Sequence, residues 1–317
     1  VEAALIAKAI DKPVQLIWSR EEDLGSDRFR PPVHARMRGV LSADKAVAAW
    51  DSRIAVPAVN NNFSKRNMPA MATDADKASA AEIEGLAEIP YAVDAFRAVH
   101  VPVSQPAPLG YWRSVGHSFS GFIVESFIDE MAAAAGVDPL AFRLRLLEGK
   151  PRHAAVLKAA AEHGKWGEPA PKGFARGIAL HESFGSIAAM VVTAGIVAGQ
   201  VRLVEVVSAI DCGRAIAPDS VRAQLEGAAI MGLSAALGEE ITFAEGEAEQ
   251  RNFHSYTVLR LQDAPARVAT VIVNSGGPLG GVGEPGLPPA APALANALAA
   301  ATGKRARSLP LARVYTA

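Results

Sequence analysis

Between an apolar run, Val268 to Val273, and an alanine-rich run, Ala290 to Ala301, lies Gly276-Gly277-Pro278-Leu279-Gly280-Gly281-Val282-Gly283-Glu284-Pro285-Gly286. Its six glycines let the backbone approach a bulky group closely and adopt positive φ where a turn needs it. Its one carboxylate, Glu284, is held between Gly283 and Pro285. A lone acid on a stiff, glycine-lined turn has the character of a positioned general base. A solvated acid on a surface turn is the plain alternative. Gly281 to Gly286 also fits G-x-G-x-x-G, but Pro285, Pro288 and Pro289 delay any helix. No strand with an acid about 20 residues on fits in what remains, so a dinucleotide fingerprint is set aside.

Three further stretches could carry chemistry. Gly116-His117-Ser118-Phe119-Ser120 looks like a nucleophile elbow with Ser120 in place of the second glycine. Asp211 and His254 follow in the Ser, Asp, His order of a hydrolase, although Ser118 or Ser120 as a helix cap is the simpler reading. Arg113, between Trp112 and a glycine-containing turn at a helix start, suits an anion such as phosphate. The alternative is an arginine whose stem packs on Trp112. In Gln224-Leu225-Glu226-Gly227, Gly227 and the later Gly232 allow a second helix, or a flat cofactor, to come close. The seven histidines include no i,i+4 pair, and Cys212 is the single cysteine. His181, at a strand end, reads as a surface or supporting residue and not as a ligand. An internal disulfide and a Cys-ligated zinc or iron–sulfur site are excluded, and no protein-ligated metal site is readable.

The elements that must hold these residues follow from periodicity. The chain has 317 residues, half of them apolar, and a net charge of −1. That is enough for two domains and gives no electrostatic pull toward nucleic acid. No apolar stretch reaches membrane-spanning length, and no signal peptide is visible. The first residue, Val1, sits in an uncapped helix that is already under way, as expected of a fragment, a processed product or half of a split subunit. Strands are predicted over 14–18, 33–41, 46–56, 96–103, 174–181, 187–193, 201–210, 239–243, 256–261 and 268–273. Helices are predicted over 119–135, 138–147, 151–163, 218–237 and 290–302. In the first of these, Phe122, Ile123, Phe127 and Met131 form the buried stripe, with Glu125, Asp129 and Glu130 off it. Gly238 is the expected left-handed stop of the long helix, and Pro57 to Gly85 reads as a long excursion. The fold class is α+β, with mixed sheets and long helices in two layered lobes, 1–170 and 171–317.

Together these pieces resemble a known family, the molybdenum-cofactor-binding large subunits of the xanthine dehydrogenase/aldehyde oxidase family. The likeness is greatest to the branch of isoquinoline 1-oxidoreductase beta subunits. It is carried by Val1 to Asp23, Tyr111 to Met131, Gly177 to Gly185, Ala209 to Leu237, Asn252 to Arg260 and Gly280 to Arg305. The resemblance implies that Glu284 is the catalytic base, deprotonating a molybdenum-bound hydroxyl or water that then attacks the substrate carbon. It implies that Trp112, Arg113, Ser114 and Gly116 form the cofactor loop, with Trp112 for the usual aromatic and Ser114 for the first glycine. Gln224 would contact the pterin, and the amides of Gly281, Val282 and Gly283 would line it.

The metal would be held by the pterin dithiolene, in a molybdopterin cytosine dinucleotide. The first lobe lacks the glycine-rich loop that the family carries upstream. A partner chain would then supply the other half of the cofactor site, and a small partner would carry [2Fe–2S] clusters, with a c-type cytochrome as a further electron partner. The substrate would be an N-heteroaromatic compound or an aldehyde, and the compartment either periplasm or cytoplasm. A Ser118-dependent hydrolase and a non-catalytic scaffold fragment are the alternatives.

Overall fold

The computed structural model describes residues 1–74 and 77–316. Two short helices, α1 (Glu2–Ile10) and α2 (Arg20–Ser26), precede the hairpin of β1 (His34–Leu41) and β2 (Val47–Val56). Helix α3 (Val59–Asn67) leads to β3 (Ala95–Pro102), and then come α4 (His117–Ala135), α5 (Pro139–Leu146) and α6 (Pro151–His163). The second half runs β4 (Phe174–Ser183), β5 (Ser186–Val197), β6 (Gln200–Asp211), α7 (Pro218–Leu237), β7 (Phe243–Ala244), β8 (Glu247–Ala248), β9 (Arg267–Ile272), α8 (Ala290–Thr302) and α9 (Ala312–Tyr315). Among the described residues, no helix is long and apolar enough to cross a membrane.

Both larger sheets are mixed. The first has the order β1-β2-β3, antiparallel then parallel, and the second β4-β5-β6-β9, with only the last pair parallel. β5 is a continuous apolar run because both of its faces are covered. Ala189 and Val191 join the core that contains Val156, Leu157 and Ala160 of α6. Met190, Val192 and Ala194 join the core that contains Ala293, Leu294 and Ala297 of α8. The alanines of α8 let its backbone lie directly on β4, where a Cβ on Gly177 would come within 2.1 Å of the Ala293 carbonyl oxygen. Local contacts fix the helix ends: Asp138 caps α5 through the Leu140 and Ala141 amides, and Gly136 ends α4 at φ +64°.

Several expectations need correction. Glu125 and Asp129 do not face solvent; both are buried. Arg143, itself fully buried, donates from Nε to Glu125 Oε2 at 2.8 Å and from Nη1 to Asp129 Oδ1 at 3.3 Å. Glu125 also accepts from the Leu180 amide at 3.0 Å and the Tyr91 hydroxyl at 2.6 Å, while Arg305 reaches Asp129 Oδ2 at 2.8 Å. The helical stripe is narrower than the real burial because α5, β4 and α8 close over α4 from several sides.

Residues 14–18 form no strand, and Ile17 is 77% exposed, since no neighbouring strand in the chain reaches them. Residues 239–243 and 256–261 are also mostly irregular, with only the two-residue β7 and β8 pairing there. The side chains of Glu239, Tyr256 and Ser234 bond one another or nearby backbone instead of forming a ladder. Gly238 closes α7 at φ −150°, not in the left-handed region. The 57–85 excursion carries α3 and two single 3₁₀ turns, 69–71 and 80–83; two of its residues, 75 and 76, lie outside the described ones.

Removing one partner of a buried ion pair leaves the other charged and desolvated, at a cost of about 3–5 kcal/mol. Glu125→Ala is therefore expected to lower stability by about that amount in urea unfolding. Glu130→Ala, which breaks a pair with the exposed Arg307, should cost under about 1 kcal/mol.

Candidate active site

Three segments distant in sequence meet around Glu284. The turn before α4 supplies Trp112 to Gly116, the start of α7 supplies Gln224, and the loop between β9 and α8 supplies Gly280 to Gly286. Ser114 makes the central contact. Its amide donates to Glu284 Oε2 at 2.6 Å and its hydroxyl to the Glu284 carbonyl at 2.7 Å. To do so the chain takes positive φ at Ser114 (71°) and Val115 (44°), a region that costs a residue with a Cβ. Glu284 is partly buried, and among the described residues its Oε1 has no hydrogen-bond partner within the chain.

Arg113 ties the segments together. Its Nε donates to the Gly283 carbonyl at 2.8 Å, Nη2 donates to the same oxygen, and Nη2 also reaches Gln224 Oε1 at 2.9 Å. The guanidinium is thus largely committed to the glycine-rich loop and to α7 and is not a free anion hook. The cation over the Trp112 ring is Arg30, 4.4 Å from the centroid. Burial pushes the pKa of Arg30 down to about 10.

The loop glycines serve different ends. A Cβ on Gly280 would come within 2.3 Å of Ser186 Oγ, and one on Gly286 within 2.6 Å of Leu225 Cδ1. Those two are demanded by packing. Gly283, by contrast, has nothing within 4 Å of a built Cβ and is exposed. The Gly281 amide is spent on the Phe184 carbonyl at 2.8 Å, and the Gly281 carbonyl accepts from Ser186 Oγ at 2.6 Å. Among the described residues the amides of Val282 and Gly283 donate to no protein acceptor, which leaves these two available to a ligand. Gln224 is exposed at the same edge.

Three side chains here, Glu84, His181 and Phe184, carry no motif of their own. The Gly116 amide donates to Glu84 Oε1 at 2.8 Å, and Ser120 Oγ holds the Glu84 carbonyl at 2.6 Å. A Cβ on Gly116 would come within 2.7 Å of Glu84 Cγ, which explains the glycine. His117 Nδ1 lies 2.9 Å from Nε2 of His181, which is buried. Phe184, at φ 51° in the tight β4–β5 turn, sets its ring edge-on to His117 at 5.3 Å. Glu84 lies in the poorly patterned excursion, and His181 and Phe184 sit at a strand end, so only tertiary contact joins them to the loop.

The hydrolase constellation does not assemble. Ser118 Oγ is buried, donates to the Val115 carbonyl at 2.7 Å and accepts from Arg30 at 2.9 Å. Asp211 is engaged by Arg152 at 2.7 Å and by the Gly213 amide, while His254 is exposed. Neither Ser118 nor Ser120 caps α4, which begins without a side-chain cap. No group of three metal-ligating side chains exists among the described residues.

A profile of the molybdopterin cofactor-binding domain matches residues 1–147, and a second of the same description matches residues 149–265. The isoquinoline 1-oxidoreductase beta subunit of Brevundimonas diminuta is 32% identical over 98% of the chain. The chain belongs to the molybdopterin-binding subunits of the xanthine oxidase family. Other relatives of this molybdopterin-binding chain are a membrane-bound aldehyde dehydrogenase of Gluconacetobacter polyoxogenes, 32% identical, and a nicotinate dehydrogenase chain of Pseudomonas putida, 30% identical, each over 98% of the chain. The chain spans only 40%, 43% and 28% of these three relatives' lengths. The fold matches quinoline 2-oxidoreductase from Pseudomonas putida 86, with TM-score 0.75, 12% identity, 98% of this chain and 64% of that one. It also matches the Desulfovibrio gigas aldehyde oxidoreductase, with TM-score 0.71, 14% identity, 97% of this chain and 51% of that one.

Burial pushes the pKa of His117 down to about 4 and that of His181 down to about 3, with lesser influences from Glu182 and His117 respectively. In the unfolded chain both would protonate near pH 6.5. Their contribution to stability is therefore complete above about pH 6.5 and is lost as pH falls from there toward 4 and below. Each should add up to about 1.4 kcal/mol per pH unit to the acid slope of stability. Urea unfolding at pH 7 and pH 5 should show that slope flattened in His117→Asn and His181→Asn.

Proposed function

We propose that this chain builds one wall of the active site of a molybdenum hydroxylase, with Glu284 as its general base. The observation that carries this reading is the double clamp on Glu284. Ser114 holds one carboxylate oxygen and the backbone carbonyl, so the other oxygen, Oε1, stays directed and without a protein partner among the described residues. A base held in this way loses little orientational freedom when it accepts a proton.

The residues fit the cofactor that the family implies. The open space at Gly283, the free amides of Val282 and Gly283 and the exposed Gln224 lie on one edge beside Glu284. Gln224 Nε2 and these two amides would hold the pterin, in the cytosine dinucleotide form carried by the isoquinoline-oxidoreductase likeness. Arg113, Trp112, Ser114 and Gly116 act indirectly, by fixing the loops that present these groups. When bound, the molybdenum cofactor supplies the two-electron redox chemistry and the oxygen given to the substrate.

Glu284 accepts the proton released in that exchange, at Oε1. The exposed ring of Phe184 beside Gly281 offers an aromatic face, which favours a planar N-heteroaromatic substrate, with an aldehyde as the second candidate. Electrons leave through a small [2Fe–2S] partner and from there to a c-type cytochrome. A companion polypeptide segment completes the cofactor site, since Gly281, Gly283 and Gln224 are exposed within this chain.

Glu284→Gln in the enzyme purified with its partners should reduce turnover about 10²–10⁴-fold while molybdenum content by elemental analysis stays unchanged. Undiminished turnover of that variant would remove Glu284 as the base.

A further inference from the structure

The turn that carries Ser114 and Gly116 holds two carboxylates, not one. The Ser114 amide donates to Glu284 Oε2 at 2.6 Å, and two residues later the Gly116 amide donates to Glu84 Oε1 at 2.8 Å. We propose that Glu84 is a positioning residue for Glu284, whose negative charge, held on the same turn, strengthens Glu284 as a proton acceptor. The proposal rests on the reading of Glu284 as the base.

Glu84 is built into place from three sides. Ser120 Oγ fixes its carbonyl at 2.6 Å, the Gly116 amide holds Oε1 at 2.8 Å, and His117 Nε2 lies 3.8 Å from Oε2. Both rings are neutral near pH 7, so a single N–H is shared across the 2.9 Å bond. If His181 Nε2 donates to His117 Nδ1, the remaining proton of His117 sits on Nε2 and points at Glu84. Gly85, at φ +78°, packs directly over this bond, where a Cβ would come within 2.7 Å of His117 Nδ1.

The charges around the pair are few. Glu284 faces the Arg113 guanidinium, while Glu84 faces Glu82, Glu284 and His117. Tyr111 senses Glu82 and Glu84, and Glu182 lies beyond the histidines. Burial raises the pKa of Glu84, and repulsion from Glu284 adds to it. Like charges confined to one site do not ionise independently. The competing explanation is that Glu84 only caps the amino end of α4. Glutamine can accept the same Gly116 hydrogen bond, so Glu84→Gln keeps the cap and removes only the charge.

The test uses the enzyme purified with its partners, wild type and Glu84→Gln, with two readouts. One is the acid limb of kcat/KM against pH. The other is the pH dependence of Glu284 labelling by an apolar carbodiimide, which reacts with protonated carboxyls, read by peptide mass spectrometry. Loss of a neighbouring negative charge makes a carboxylate release its proton more readily. Both midpoints should therefore move to lower pH, and the plateau rate should fall as the base weakens. His117→Phe, which removes the imidazole beside Glu84 Oε2 but leaves Glu84, should move both midpoints the same way by less, and it serves if Glu84→Gln does not fold. A labelling midpoint unmoved in both variants overturns the proposal. A shifted labelling midpoint with an unshifted rate profile supports the coupling and places the fault with Glu284 as base.

Discussion

The buried pairing of Arg143 with Glu125 is the contact on which the architecture turns. Arg143 also donates from Nη2 to the Glu125 carbonyl at 2.9 Å, so a single guanidinium holds both the side chain and the backbone of α4. Through Leu180 and Tyr91 the same carboxylate reaches β4 and the loop before β3, and through Asp129 and Arg305 the network reaches the chain beyond α8. Charges removed from water this completely are tolerated only when every lone pair and proton finds a partner. Here the requirement works as a register: α4, α5 and β4 must take one arrangement to satisfy it. The tip of α4 is the turn that presents Ser114 and Gly116, so the precision of the site is inherited from that core.

The site itself is a meeting of loops on rigid supports. Ser114 and Glu284 are 170 positions apart in sequence, yet their contact involves backbone on both sides and so fixes both loops at once. Arg113 adds a second tie between the same loop and α7. The positive φ values at Ser114, Val115 and Phe184 fall in this neighbourhood, where left-handed residues hold side chains and amides in directions a relaxed turn would not. α1 buries none of its residues, and Ile17, Ile216 and Leu279 are largely exposed.

Much was determined by the sequence alone. The apolar runs of β5 and β6, the proline-started α5 and α7, the alanine-rich α8 and the glycine-rich loop each have a local cause, and each appears within a few residues of its predicted place. Glu284 stands out because glycine and proline around a single acid leave it no local partner. The segments carrying the family likeness are legible for the same reason: their residue types are tied to close backbone approach, which a sequence displays directly.

Tertiary structure alone decided the rest. Glu125 and Asp129 read as solvent-facing because helical periodicity reports one face, whereas α4 is enclosed by three elements. Residues 14–18 have strand composition but no strand beside them, and a ladder needs a partner. Glu84, His181 and Phe184 carry no motif, and their approach to Glu284 depends on how a loop, a strand end and a helix start are brought together. Local composition shows which residues are able to do chemistry. Which of them share a site is set by long-range packing, because the hydrogen bonds that join them span separations that no local pattern records.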